Sequence, residues 1–190
     1  MHRRPLLALL DRYLGLHPDE AEVVDRMRAF VSAHRDCFER SCVPGHVTGS
    51  AWLLSADRRS VLLTHHRKLG RWLQLGGHAD GDPDPLRVAL REAREESGLP
   101  DVVPLAPGTG AVVPLDVDIH EIPARAGEPA HLHHDVRFLL VAPAGAAIAI
   151  GPESNDLRWV ARDRLQAYTR EKSQLRMEWK ARALLAGLLD

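Results

Sequence analysis

The chain has 190 residues, of which 45% are hydrophobic and 27% charged, with a net charge of −1 and a sequence pI near 6.8. These values predict a soluble globular protein with one full core. They exclude a global basic field for nucleic acid, and no stretch approaches the roughly 20 apolar residues of a membrane span. Two cysteines, Cys37 and Cys42, are too few for a disulfide scaffold, so an intracellular, cytoplasmic setting is expected.

The N-terminal MHRRPLLALLDRYLG resembles the start of a signal peptide, but its apolar run ends at Asp11 after about six residues, too short for an h-region. Leu6, Leu7, Leu9, Leu10 and Leu14 predict a short amphipathic helix ending at Gly15. Pro18 and Asp19 open a second helix, in which Val23, Met27, Phe30, Val31 and Phe38 recur at helical spacing until Pro44-Gly45 breaks it. Residues 1–43 therefore read as a helical extension and 44–190 as the main domain. His34, Cys37, Cys42 and His46 invite a zinc reading, but their spacing does not match a zinc finger, and the two thiols read as small buried apolar groups.

Two strands follow, Val47 to Ser55 and Val61 to His65, joined by a polar turn, and then a short strand at Trp72 to Leu75 that runs into Gly76-Gly77. A helix is expected from about Asp84 to Ser97, with Asp82 as N-cap, Pro83 in the first turn and Gly98 at the C′ position. Leu86, Leu90 and Ala93 should face the core. Val112 to Ile119 and Val136 to Val141 read as strands around a His- and Pro-containing loop, about residues 121–133. A last strand at Leu157 to Val160 and closing helices at Arg164 to Tyr168 and Lys172 to Leu189 complete the chain. Strands, helix, strands, helix is the order of an α/β/α sandwich around a mixed β-sheet.

The chemistry concentrates in the helix after Gly77. Glu92, Glu95 and Glu96 stand at i, i+3 and i+4, within an arc of about 100°. Like charges this close repel by about 3 kcal/mol per pair at roughly 5 Å and an effective dielectric of about 20. A solvated helix face gains nothing from that arrangement. A hard divalent cation, which takes oxygen ligands, makes it favourable.

Gly77 to Leu99 resembles the Nudix box, G-x5-E-x7-R-E-U-x-E-E-x-G-U with U apolar. Gly77, Arg91, Glu92, Glu95, Glu96, Gly98 and Leu99 fall in register, and Ala93 fills the inner apolar position. The one departure is the early Glu, where Pro83 stands between Asp82 and Asp84. Similar texture extends over about residues 44–170, in Gly45-His46, in Leu75 to Asp80, in His134 to Phe138 and in Leu157 to Trp159. The resemblance implies a Nudix-like α/β/α sandwich, a cofactor of Mg²⁺ or Mn²⁺, and hydrolysis of a diphosphate linked to another moiety. It implies Glu92 and Glu96 as metal ligands, Glu95 as a ligand or a residue positioning water, a carbonyl of Gly76 or Gly77 completing the site, and Arg91 orienting the glutamates. The catalytic group is then Glu95, Glu96 and Arg91, with Glu153 as a distant candidate base ahead of the last strand.

Several other residues are candidates for the substrate side: His78 and Asp80 after the glycine pair, Arg67 and Arg71 as donors to phosphate oxygens, and His134 with Asp135. The expected partner is a small diphosphate compound, with no nucleic acid and no membrane; homodimers are frequent among similar proteins. Two other functions remain open: a non-catalytic Nudix-fold sensor of a phosphorylated metabolite, and a Nudix-fold isoprenoid-diphosphate isomerase, for which Cys42 would be the nearest thiol. The four tryptophans read as packing residues.

Overall fold

The computed structural model describes residues 2–106, 110–125, 127, 129–151 and 154–187. The first helix, α1 (Arg4–Leu16), has Pro5 in its first turn and buries Leu6, Leu9, Leu10 and Tyr13 along one stripe. A 3-10 turn, Pro18–Glu20, leads into α2 (Ala21–Ala33), which buries Val24, Met27 and Val31. The second helix stops at Ala33, well short of the break at Pro44-Gly45. Phe38 lies in the turns that follow and is buried there, so its apparent helical spacing is coincidental.

The sheet has eight strands. β1 (Gly45–Leu54) is buried along its whole length because it has partners on both sides and helices over both faces. It runs parallel to β7 (His131–Val141) from Gly45↔Leu132 to Leu54↔Val141. On its other side it pairs antiparallel with β4 (Leu75–His78) and, at its end, with β2 (Ser60–His66). β2 carries β3 (Arg71–Leu73) and β8 (Ser154–Ala161), while β7 carries β5 (Val103–Pro104) and β6 (Asp116–Ile122).

Alternation along β1 sorts its residues between two cores. Val47, Ala51 and Leu53 join the core that includes Val88, Ala89 and Ala93 of α3 (Pro85–Ser97) and the buried residues of α1 and α2. Trp52 and Leu54 join Met177, Ala181 and Leu185 of α4 (Lys172–Ala186). The mixed sheet with helices on its faces is the expected α/β/α sandwich, and the N-terminal helices pack into the same core as the sheet.

Several boundaries differ from the sequence reading for identifiable reasons. His131 to His133 belong to β7, not to a loop, because the parallel pairing with β1 extends nearly to the start of that strand. The strand expected from Val112 begins at Asp116. The N-cap of α3 is Asp84, whose side chain accepts from the amides of Leu86 and Arg87 at 3.0 and 3.4 Å, and Pro85 takes the first helical position. Leu86 and Leu90 are only half-buried and flank the stripe of Val88, Ala89 and Ala93. Arg162–Ala167 is a 3-10 helix, and β5 has no distinct periodic signal.

Candidate active site

Close packing of α3 on the sheet builds the site. Gly49 of β1 permits it: a Cβ there would stand 2.6 Å from the Pro85 carbonyl oxygen and 2.8 Å from Cβ of Val88. The helix is thereby held against β1 and β4, with Glu92 directly over Gly77. A Cβ at Gly77 would meet Cδ and both carboxylate oxygens of Glu92 at 2.5–2.7 Å. Arg91 ties the two elements together, donating from one guanidinium nitrogen to the His78 carbonyl at 2.7 Å and to Oε1 of Glu92 at 2.9 Å. Burial pushes the Glu92 carboxyl above its usual range, and the bond from Arg91 only partly opposes that. Glu95 is exposed and Glu96 half-buried on the adjoining turn of the same helix.

The donor set suits a hard cation. It consists of carboxylates on consecutive helical turns beside a glycine-lined strand end, and Glu92 is partly stripped of water with one guanidinium as counter-charge. Asp82 and Asp84, which flank the position of the missing early Glu, are otherwise engaged. Asp84 caps α3, and Asp82 pairs with Arg87 at 2.5 and 3.1 Å while accepting from the Asp84 amide. The segment ending at Gly151 passes the C-terminal turn of α3, where the Ala149 amide donates to the Ser97 carbonyl at 2.8 Å. Glu153 lies outside the described residues.

The fold matches a known family. The NUDIX domain profile covers residues 45–179. The chain belongs to the Nudix family. Among solved structures, a Nudix-family hydrolase from Clostridium perfringens aligns with a TM-score of 0.56 and 23% identity over 76% of this chain and 98% of its own. An Ap4A hydrolase from C. elegans aligns at 0.54 and 15% identity over 74% and 98%. The E. coli dihydroneopterin triphosphate pyrophosphohydrolase aligns at 0.52 and 16% identity over 70% and 92%. At these identities the likeness establishes the Nudix hydrolase fold and nothing finer. Comparison with curated protein sequences finds no match.

The remaining predicted site residues are dispersed. Asp80 adopts a left-handed backbone (φ 49°) and is clamped by Arg40 at 2.5 and 2.8 Å, which holds its carboxyl below the usual range. Arg71, which opens β3, pairs with Glu171 at 2.9 Å, and Arg67, just beyond β2, reaches the Ser154 carbonyl at 3.4 Å. His134 and Asp135, neighbours in sequence, point to opposite faces of the sheet. His134 stacks on Phe30 of α2 with ring centroids 3.7 Å apart. Asp135, 2% exposed, accepts from Thr48, Ser50 and Arg137 at 2.7–3.0 Å.

Asp135 belongs to a buried ionic network that sequence reading missed. Arg137 also donates to Asp116 and Asp118, each at 3.0 Å. Asp116 further accepts from Arg176 at 2.8 Å and from Lys180 at 2.6 Å, and Lys180 reaches Tyr13 and Glu20 at the end of the N-terminal helices. The network thus joins β6, β7, α4 and the N-terminal segment. Its only sequence signal is the alternation Asp116, Asp118 and Asp135, Arg137 on two strands.

Next to it on the same face lies a group of imidazoles. His46 pairs with His133 across β1 and β7, and His133 with His120 across β7 and β6. The rings of His46, His131 and His133 stand 4.9–5.2 Å apart, with His78 about as near to two of them. Burial, with the neighbouring His78 and His131, lowers His46 to about 4, so it is neutral at physiological pH.

Proposed function

We propose that this Nudix protein hydrolyses a diphosphate linkage in a small nucleotide-like or other diphosphate-X substrate, using Mg²⁺ or Mn²⁺. The observation that carries the reading is the seating of the Glu92 carboxylate over Gly77, with Glu95 and Glu96 on the next turn. Glu92, Glu95, Glu96 and the Gly77 carbonyl would hold the cation. When bound, it screens phosphate charge, orients the scissile group and acidifies a coordinated water.

The chain's own residues supply the rest. Arg91 fixes Glu92 against β4 through its bond to the His78 carbonyl. Glu95 and Glu96 are the nearest carboxylates able to accept the proton of an attacking water among the described residues, with Glu153 retained as a further candidate base. His78 and Asp80 border the glycine pair, where the diphosphate would pass. Arg67 and Arg71 would serve as charge-assisted donors to the far end of the substrate. His134 and Asp135 would act by holding β7 in place, the first through Phe30 and the second through Arg137. The cytoplasm as compartment and a homodimer as assembly belong to the same proposal. Among the described residues no helix is long and apolar enough to cross a membrane.

The test is a screen of nucleotide sugars, dinucleotides, nucleoside triphosphates and isoprenoid diphosphates with Mg²⁺ and with Mn²⁺, reading products by mass spectrometry. Release of a monophosphate from at least one class supports the reading. Tight binding of such compounds without product in either metal points instead to a sensor.

A further inference from the structure

The histidine group on the α4 face of the sheet is separate from the carboxylates, which lie on the α3 face. The pleat of β4 divides them: Gly77 faces Glu92, whereas His78 faces His46 and His133. We propose that His46, His131 and His133 form a second metal site, selective for a borderline-soft transition ion such as Zn²⁺, and independent of the carboxylate site.

Geometry gives the first argument. One ligand nitrogen from each of these three side chains can be chosen so that all lie within 4.8 Å of one another. Around an ion bound at about 2.1 Å, tetrahedral nitrogens stand about 3.4 Å apart, so small side-chain rotations close the set. The backbone fixes the arrangement: His131 and His133 are two residues apart on one face of β7, and His46 is the cross-strand partner of His133 on β1.

Unsatisfied polarity gives the second. His46 is 2% exposed, and neither of its ring nitrogens reaches a hydrogen-bond partner among the described residues; Nε2 of His133 is likewise buried and unpartnered there. A buried polar group left this way costs about 1–3 kcal/mol. An ion that accepts their lone pairs removes that cost, and apolar side chains at these positions would have avoided it altogether.

Ligand chemistry gives the third. The Nδ1 of His131 lies 3.0 Å from the Pro129 carbonyl, which fixes that nitrogen as the protonated one and leaves Nε2 as a lone-pair donor. Imidazole nitrogen suits Zn²⁺, Ni²⁺ or Cu²⁺, whereas Mg²⁺ prefers carboxylate oxygen. The two sites would therefore sort metals by ligand type on opposite faces of one sheet.

The experiment titrates chelator-stripped full-length protein with Zn²⁺ in a large excess of Mg²⁺, followed by calorimetry. About one Zn²⁺ per chain is expected, weakened by about 100-fold or more in His46→Ala and in His133→Ala. The double variant Glu92→Gln, Glu96→Gln should take up Zn²⁺ as the wild type does, whether or not the hydrolase reading holds. No Zn²⁺ uptake by the wild type, unchanged uptake by both histidine variants, or loss of uptake in the glutamate variant would each overturn the proposal. Should the alanine variants fail to fold, X-ray absorption of the Zn²⁺-loaded wild type decides it. Scattering from several imidazoles supports the site, and an oxygen-only shell refutes it.

Discussion

The Glu92 carboxylate occupies the volume that a side chain at residue 77 would need, with contacts of 2.5–2.7 Å to a Cβ built there. Gly77 does not have a positive φ, so alanine meets no backbone strain and displaces only the tip of a flexible side chain. Gly77→Ala is therefore expected to shift the unfolding free energy by less than about 1 kcal/mol, a cost in the range of ordinary surface changes. Mg²⁺ affinity should fall at least tenfold, by about the 1.4 kcal/mol or more that moving a charged ligand entails. Urea unfolding and Mg²⁺ titration, run on the same preparation, check both halves.

Glu96→Gln keeps the shape of the side chain and removes one charge from the proposed cation site. Turnover with Mg²⁺ is expected to drop by about 100-fold or more while the circular dichroism spectrum is retained, as for loss of a group that stabilises developing charge. EDTA should abolish the wild-type activity, and added Mg²⁺ should restore it. Equal rates for wild type and variant would remove Glu96 from the site.

Asp116 is fully buried among Arg137, Arg176 and Lys180. Asp116→Ala leaves those cations facing one another with less counter-charge, and breaking a buried pair in this way costs about 3–5 kcal/mol. A large fall in urea midpoint is the expected outcome, because the network joins the N-terminal helices and α4 to the sheet edge. A midpoint within experimental scatter of wild type would show that the network contributes nothing net.

Acid should loosen the same network. Burial works to raise the carboxyls of Asp116 and Asp118, but the surrounding donors overcome it and hold both below the usual range: Arg176, Arg137 and Lys180 around Asp116, and His120, Arg137 and Arg176 around Asp118. A depressed folded-state value stabilises the protein above the unfolded-state value of about 3.9 and loses that contribution as pH falls through the folded-state value. Unfolding free energy is thus expected to fall steeply below about pH 4, and Asp118→Asn should flatten that limb. Urea titrations at pH 5 and pH 3 measure the difference.

Much of the acidic helix was legible in the chain. The register of Gly77, Arg91, Glu92, Glu95 and Glu96 needs only helical periodicity, and α3 carries these glutamates where that periodicity puts them. Local signals misled where two acids competed for one role. Asp82 and Asp84 both suit an N-cap, and only the packed helix shows that Asp84 bonds the free amides while Asp82 holds Arg87. Phe38 fitted a helical stripe because burial in a turn produces the same spacing by chance.

The sequence by itself determined the acidic helix, the amphipathic faces and the alternating strands, since those depend on periodicities within a few neighbouring residues. Tertiary structure alone decided which residues meet across the sheet. The parallel register of β1 and β7 brings His46 to His133 and Thr48 to Asp135, although each pair is separated by 87 positions. It also decided that the neighbours His134 and Asp135 serve opposite faces. Pleat and register, set by burial of the whole of β1 rather than by any local residue pattern, made those assignments.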